Sequence, residues 1–249
     1  MNHPVALITG ASRGIGRACA QALAAAAEPW DVAAHYKDDT ESAEELTRQI
    51  ARAGKVRAQI FQAALAQPGA ATKLVNTVAD SFGPPAALIH AAGYYLEKPI
   101  TFTKTDEWDA LLETHALSAA ALAKATLSHL RKIQTGRIVF IGSLAGSIGL
   151  GNAVAYAAAK GALIGLCKSL ALETARWQTT VNIVAPGYVD TDLTRFQDKE
   201  HRSRIQSAIP LNRYGLPEEI AALVAFLCSA QAAYITGQIL IIDGGVSLG

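Results

Sequence analysis

Val5-Ala6-Leu7-Ile8-Thr9-Gly10-Ala11-Ser12-Arg13-Gly14-Ile15-Gly16 is a short apolar run followed by a glycine-rich turn. The run has the length and composition of a buried strand, and a helical pattern begins near Gly14. Glycines at such a junction allow a tight turn and let backbone N–H groups and a helix N-terminus approach a pyrophosphate. The stretch therefore predicts a dinucleotide-binding βα unit, with cofactor contacts from Gly10, Ser12, Arg13, Gly14, Ile15 and Gly16.

Strand-like and helical segments alternate along all 249 residues, without an internal repeat or a Pro/Ser-rich linker. The predicted strands are Val5–Thr9, Asp31–His35, Val56–Gln62, Ala86–Ala91, Arg137–Gly142, Thr180–Ala185 and Gln238–Ile242. The predicted helices are Gly14–Ala27, Thr40–Ala53, Pro68–Phe82, Thr105–Lys132, Asn152–Arg176 and Pro217–Leu227. This alternation implies βαβ units. We therefore predict an α/β fold of the Rossmann type, with one doubly wound, seven-stranded parallel sheet in a single domain.

Composition and charge argue against several classes of protein. The 22 Lys and Arg against 21 Asp and Glu give a net charge of +1, without the basic excess of a nucleic-acid binder. The three cysteines lie far apart and form no CxxC pair, which predicts reduced core thiols rather than a disulfide framework or a metal site. We expect no metal and no nucleic acid to bind.

The chain is expected to be cytoplasmic and not to enter a membrane. Met1–Gly10 lacks the basic and apolar regions of a signal peptide. Ile138–Ala159 runs for 22 residues without a charge, which is long enough to span a bilayer. However, glycines and polar residues cluster in its middle, and this favours a strand, a loop and the start of a helix.

The end of the second predicted strand bears on the choice of nicotinamide cofactor. A carboxylate there is typical of NAD sites, because it accepts a hydrogen bond from the ribose 2′-hydroxyl, whereas a 2′-phosphate requires cations. Here Tyr36-Lys37 ends the strand, with Arg13 in the glycine loop nearby. These two cations favour NADP(H). In the alternative interpretation Lys37 only faces solvent and Asp38 turns back to the ribose.

Ser143, Tyr156 and Lys160 form the candidate catalytic set. Tyr156 and Lys160 are four residues apart and share a helix face, and Ser143 follows a strand whose carboxyl end faces the ligand crevice. A phenol has an ordinary pKa near 10, and a neighbouring ammonium and the positive nicotinamide are expected to lower it. Tyr156 can then exchange a proton with a carbonyl or alcohol oxygen that Ser143 hydrogen-bonds.

These motifs together resemble the single-domain short-chain dehydrogenases/reductases. The resemblance rests on the Thr9–Gly16 loop, on a serine 13 residues before the Tyr156-Ala-Ala-Ala-Lys160 motif and on Asn182-Ile-Val-Ala-Pro186-Gly187. It extends from Val5 to Gly245. The segments Thr191–Thr194, Ile209–Ile220 and Tyr234–Gly245 are similar to the 3-oxoacyl-[acyl-carrier-protein] reductase branch.

The resemblance implies an activity, a set of cofactor contacts and an assembly. The activity is NADPH-dependent reduction of a 3-oxoacyl thioester to the 3-hydroxyacyl form; the alternatives are oxidoreduction of another small carbonyl or alcohol, and a weakly active scaffold subunit of a mixed oligomer. The further cofactor contacts are Tyr36, Lys37, Ala64, Leu65, Ala91, Ala92, Gly93, Tyr156, Lys160, Pro186, Gly187, Val189 and Thr191. A homotetramer is expected through the helices around 105–132 and 152–176.

The small-molecule substrate of this branch is attached to an acidic acyl-carrier protein. A basic cluster of Arg131, Lys132 and Arg137 lies where the branch receives the carrier. Leu172 occupies a second position where the branch has an arginine, and Arg176 is a candidate substitute. The cluster is either a docking surface or a solvated charged face.

The chain departs from the family pattern at three positions. It has His90-Ala91-Ala92-Gly93 in place of Asn-Asn-Ala-Gly, and Ala64 where an aspartate near the adenine is usual. His115 replaces the asparagine that holds the proton-relay water. An imidazole can donate and accept hydrogen bonds, and its ordinary pKa near 6.5 would let it change charge in the working range. His115 is therefore either a working relay residue or a helix-interface histidine.

Two further segments are expected near the substrate. Gly187–Arg213 has no clear period and follows a strand, so we interpret it as a lid over the ligand crevice. Tyr94 and Tyr95 follow Gly93 and either line the substrate pocket or pack in the core.

Overall fold

The computed structural model describes residues 3–54, 56–195 and 198–248, and its centre is a seven-stranded sheet. The strands are β1 (Val5–Thr9), β2 (Asp31–Tyr36), β3 (Ala58–Gln62), β4 (Pro85–His90), β5 (Arg137–Ile141), β6 (Thr180–Pro186) and β7 (Ile239–Ile242). All neighbours pair in parallel, in the order β3-β2-β1-β4-β5-β6-β7. The predicted fold class is confirmed.

Helices connect the strands on both faces of the sheet. They are α1 (Gly14–Ala25), α2 (Thr40–Ala53), α3 (Ala70–Ser81), α4 (Thr105–Leu112), α5 (Ser118–Ile133), α6 (Ala145–Ile148), α7 (Val154–Thr174), α8 (Asp192–Arg195), α9 (Lys199–Ala208) and α10 (Pro217–Cys228). One buried cluster lies under α3, α5 and α7, and another lies under α1 and α10. The sheet is therefore covered on both sides, which explains why its central strands read as continuous apolar runs.

Most predicted elements differ from the observed ones by one or two residues at an end, and two of the differences have a visible cause or consequence. Strand β3 begins at Ala58 rather than Val56, because the backbone N–H of Arg57 donates to the Asp31 carboxylate (2.9 Å). The helix predicted over Thr105–Lys132 is interrupted by a π turn at Glu113–Leu117, between α4 and α5. Periodicity did not indicate this interruption, because one extra residue in a turn changes the apolar pattern very little.

The predicted lid segment contains two short helices, α8 and α9, rather than only irregular chain. Phe196 and Gln197 lie outside the described residues. Helix α9 has no buried residue, because its sequence is almost entirely polar. Because the segment has almost no apolar residues, apolar periodicity did not predict this helix.

Helix α7 and the turn after it, Val154–Trp177, form the one helical segment of the described chain that could cross a membrane by length and composition. Core helices of soluble proteins pass the same test. Here α7 packs against β6, α6 and α4, and its Lys160 is buried. These contacts identify α7 as a core helix of the fold.

Candidate active site

The strand order reverses between β1 and β4, and the candidate cofactor residues gather at the carboxyl ends of the strands there. Gly10 has a φ of +67°, and a Cβ on it would lie 2.8 Å from the Cα of Ala92. A side chain at Gly16 would collide with the Gly10 carbonyl. The loop therefore needs glycine at both positions, and its backbone remains open for a ligand to approach.

A cavity of about 320 Å³ lies at the N-terminus of α1. Ser12, Arg13 and Gly14 line one side of it, and Thr191 lines another. Backbone N–H groups at a helix start together with arginine side chains suit a pyrophosphate. The residues present therefore fit a dinucleotide.

The other predicted cofactor residues lie at the same edge of the sheet. Tyr36 ends β2, Ala64 and Leu65 follow β3, and Ala91, Ala92 and Gly93 follow β4. Pro186 ends β6, and Gly187, Val189 and Thr191 follow it. The structure thus brings together, at one crevice, residues that are up to 181 positions apart in the chain, from Gly10 to Thr191.

The tip of β2 carries an exposed ion pair between Lys37 and Asp38, with 3.2 Å between Nζ and Oδ2. The next carboxylate, Asp39, accepts the backbone N–H of Ser42 at the start of α2 (3.1 Å). This hydrogen bond, supported by Arg13 and Arg17, holds the pKa of Asp39 below its usual value. The Asp39 carboxylate is thus already hydrogen-bonded to the start of α2, whereas the cation Arg13 lines the cavity.

Ser143, Tyr156 and Lys160 converge beside this crevice, as the sequence predicts. The Lys160 ammonium donates to the Ile141 carbonyl (2.8 Å), and its Nζ lies 5.8 Å from the centre of the Tyr156 ring. Burial lowers the pKa of Lys160 to about 7. The set has the geometry for proton exchange with a bound oxygen.

The sequence predicts a lowered pKa for Tyr156 beside Lys160 and the bound nicotinamide, whereas in the chain by itself this pKa is raised. Burial raises the pKa of Tyr156, and a hydrogen bond with Ser143 opposes this increase only in part. The physical reason is that a phenolate loses more hydration in this position than the hydroxyl of Ser143 returns.

His115 lies in the π turn and is buried beside the catalytic tyrosine. Its ring packs edge-on against the Tyr156 ring, with 5.5 Å between centroids. Its Nε2 lies 2.9 Å from the Tyr94 carbonyl oxygen and 3.4 Å from the Tyr94 backbone nitrogen, and we assign the proton to Nε2 because the shorter contact requires a donor there. The other nitrogen, Nδ1, has no hydrogen-bond partner among the residues that the structure describes. Neutral imidazole with its proton on Nε2 leaves Nδ1 as a buried acceptor next to the catalytic set.

The expectation that His115 changes charge in the working range is corrected by its surroundings. Burial, and then the charge of Lys160, lower the pKa of His115 well below its ordinary value. His115 therefore stays neutral at physiological pH, where its ring can only donate or accept hydrogen bonds.

Tyr94 and Tyr95 both contact catalytic candidates, which supports the pocket-lining interpretation. The Tyr95 ring stands edge-on to Tyr156, with 5.1 Å between centroids, and Tyr94 lies 5.8 Å from His115. Tyr188, which follows β6, packs against Tyr214 at 6.0 Å.

Sequence reasoning missed the supporting histidine at the tip of β2. His35 is buried, accepts the Gly10 N–H at Nδ1 (3.2 Å) and bonds the Ala63 carbonyl through Nε2 (3.0 Å). It thus fixes the glycine loop to the end of β3. A histidine at the end of an otherwise apolar strand was the available signal, but its partners lie at least 25 residues away in sequence.

The basic cluster predicted from sequence is divided in the structure. Arg137 is buried, and its guanidinium donates to the carbonyls of Thr135, Gly136 and Ser229, so it is not part of a docking surface. Arg131 and Arg176 instead meet at Trp177, each 4.4 Å from the ring centre. Arg176 and Arg131 thus share the Trp177 ring as a contact.

Comparison with known proteins agrees with this site. A family model described as "Enoyl-(Acyl carrier protein) reductase" matches residues 10–247. The chain belongs to the short-chain dehydrogenase/reductase family. The 3-oxoacyl-[acyl-carrier-protein] reductase FabG of Escherichia coli is 38% identical over 242 residues, which cover 97% of this chain and 96% of that protein.

Solved structures of this family resemble the chain along its whole length. An acetoin dehydrogenase from Salmonella typhimurium has a TM-score of 0.90 and 34% identity, and covers 99% of this chain and 98% of its own. A blue fluorescent protein from a metagenomic library, solved in complex with NADPH, has a TM-score of 0.92 and 30% identity over 99% and 98% of the two chains. Membership of the short-chain dehydrogenase/reductase family identifies the chain as an oxidoreductase of CH–OH and C=O groups.

Proposed function

We propose that the chain reduces a 3-oxoacyl thioester to the 3-hydroxyacyl form with NADPH, as a ketoreductase of fatty-acid biosynthesis in the cytoplasm. The observation that carries the proposal is the convergence of Ser143, Tyr156 and Lys160 beside a dinucleotide-binding crevice, in a chain 38% identical to a 3-oxoacyl-[acyl-carrier-protein] reductase. Arg131 and Arg176, held on Trp177, are the proposed contacts for the acidic carrier.

The catalytic side chains divide the work of protonating the substrate oxygen. Ser143 donates a hydrogen bond to the carbonyl oxygen, and Tyr156 gives it a proton from its hydroxyl. The Lys160 ammonium lies 5.8 Å from the centre of the Tyr156 ring, and its charge, together with that of the bound nicotinamide, would favour the phenolate that remains. When bound, the dinucleotide supplies the hydride.

His115 is proposed to keep the proton relay connected behind Lys160. Its Nδ1 is a buried acceptor without a partner in the described chain, and it can hold a water that the Lys160 ammonium also contacts. We expect His115→Leu to lower turnover while cofactor affinity stays constant, and His115→Asn to retain turnover, because the amide again offers an acceptor.

NADPH is the proposed cofactor because cations surround the expected position of the ribose 2′-oxygen. Arg13 lines the cavity, Lys37 lies at the tip of β2, and Asp39 is engaged by α2. The related metagenomic protein was solved with NADPH.

A second candidate substrate is a small hydroxyketone. The acetoin dehydrogenase from Salmonella typhimurium is 34% identical, and the Tyr95 ring lies edge-on beside Tyr156. A second phenol group beside the catalytic tyrosine suits a short polar ketone, which it can hydrogen-bond.

The deciding experiment measures NADPH and NADH oxidation with acetoacetyl thioesters on carrier protein and on coenzyme A, and with diacetyl and acetoin. We expect faster turnover of the thioesters and a preference for NADPH. Tyr156→Phe should lower turnover by about a hundredfold or more, because it removes the proton donor. Tyr234→Phe, on a fully exposed tyrosine, is the matched control. Turnover of acetoin or diacetyl alone would favour the second candidate.

A further inference from the structure

The π turn that carries His115 leaves a backbone carbonyl for side chains to bind. The N–H of Ser118 bonds to the Glu113 carbonyl, five residues back, instead of to Thr114, four residues back. The Thr114 carbonyl instead accepts the hydroxyl proton of Ser118 (2.6 Å). A π turn leaves backbone groups without their usual helical partners, and it is unstable unless other groups hydrogen-bond them.

The side chain of His90, at the carboxyl end of β4, extends to the end of this turn at Ser118. It is buried, and each of its two ring nitrogens lies near a hydroxyl group. Its Nε2 lies 3.5 Å from the Ser118 hydroxyl, and its Nδ1 lies 2.9 Å from the Thr9 hydroxyl. One ring thus joins the end of β1 to the turn that carries His115.

The hydrogen-bond pattern fixes where the proton of His90 lies. The Thr9 hydroxyl oxygen accepts the N–H groups of Ala91 and Ala92 (3.2 Å each), so its own proton points to His90 Nδ1. The imidazole proton is then on Nε2 and faces the hydroxyl oxygen of Ser118, whose own proton is donated to the Thr114 carbonyl of the π turn. Burial and the charge of Lys160 lower the pKa of His90 to about 3, so this neutral form persists through the physiological range.

We propose that His90 is a positioning residue whose Nε2–H holds the π turn, and with it His115, against Tyr156, while its Nδ1 anchors the cofactor side of the crevice through Thr9. The proposal deepens the proposed function, since it uses that reaction as one of its readouts. The two ring nitrogens then have different roles: Nε2 supports turnover, and Nδ1 supports cofactor binding.

Two amide variants test these tasks one at a time. The glutamine amide can place a donor where Nε2 lies, whereas the asparagine amide reaches only as far as Nδ1. We expect His90→Gln to keep kcat within about threefold and to raise the KM for NADPH, and His90→Asn to keep that KM but lose about tenfold in kcat, the effect of one hydrogen bond. His90→Leu should lose both. A His90→Asn variant with the kcat of the parent would overturn the proposal.

A second readout does not depend on turnover. In the protein labelled with ¹⁵N-histidine, NMR should show His90 as the neutral Nε2–H tautomer between about pH 6 and pH 8, and Thr9→Val should weaken that preference because it removes the donor to Nδ1. An Nδ1–H tautomer or a charged His90 ring would contradict the proposal. If the parent reduced none of the carbonyl substrates, the proposed function would fail and the tautomer would still decide this inference.

Discussion

At the scale of single residues, the site consists of polar groups that burial keeps in defined protonation states. His35, His90 and His115 are all buried, and burial is the first cause that lowers the pKa of each. Lys160 differs, since its pKa of about 7 lies within the working range. Among these four buried groups, the one that we expect to titrate near neutrality is therefore Lys160.

Lys160 should make stability depend on pH. Its folded pKa of about 7 is lower than the ordinary value of 10.5, so the unfolded chain binds more protons between these values and stability increases with pH across that window. We expect the free energy of unfolding of the parent to gain about 2 kcal/mol relative to Lys160→Met between pH 7 and pH 9. Urea denaturation at each pH measures it.

Lys168 provides the matched control for that measurement. It lies two turns further along α7 and is exposed, so Lys168→Met should leave the pH dependence of the parent unchanged. If the free energies of unfolding of Lys160→Met and of the parent change with pH in the same way, burial does not lower the pKa of Lys160.

At the scale of elements, α9 is a helix that packs on the rest of the fold without burying an apolar side chain. It has no buried residue, and its Arg202 makes an ion pair with Asp190 (3.1 Å) and stacks on the Tyr214 ring (4.2 Å to the centroid). Surface ion pairs and cation–π contacts are each worth only about 1 kcal/mol. A helix held in this way can open locally far more easily than the sheet, as a lid must.

Arg202→Ala should therefore loosen α9. We predict that backbone amides of Lys199–Ala208 exchange with solvent about tenfold faster in this variant, because about 1.4 kcal/mol of local stability corresponds to that factor. Hydrogen-exchange mass spectrometry measures the change. Arg204→Ala is the control, since Arg204 contacts only the neighbouring turn through His201 (2.9 Å) in the described structure. Equal exchange in both variants would mean that other contacts hold the helix.

At the scale of the whole molecule, α7 is apolar beyond what the sheet can cover. Leu163 and Cys167 are fully buried on one side, whereas Leu172 is 82% exposed. Leu117, in the π turn before α5, is exposed as well. Helices that are apolar on most sides pack against a partner, most often an identical copy. The predicted homotetramer would use these outer faces.

The assembly prediction can be tested by adding charge to α7. We expect Leu172→Glu to reduce the tetramer to smaller species, because it places carboxylates in a desolvated interface. Light scattering coupled to size-exclusion chromatography gives the mass. Leu211→Glu alters an equally apolar exposed residue outside α5 and α7, and it should leave the mass unchanged. A variant Leu172→Glu with the mass of the parent would exclude α7 as the interface.

The sequence by itself determined the fold class and most of the catalytic set. Alternating segments predict the doubly wound sheet, and Gly10 and Gly16 stand where only glycine fits the turn. Tyr156 and Lys160 are neighbours through helix geometry alone. Each of these inferences depends on local spacing, which is visible in the chain.

Only the tertiary structure decided the interactions between residues distant in sequence. Thr9 and His90 are 81 positions apart, and no periodic pattern links them. From the sequence, Arg137 belongs to a basic cluster with Lys132, but in the structure its position in β5 directs its guanidinium to the Ser229 carbonyl. The protonation states of His115 and Lys160 likewise follow from burial, which depends on what other segments pack around them. Local spacing sets the elements, whereas the folded surroundings set the chemistry of each side chain.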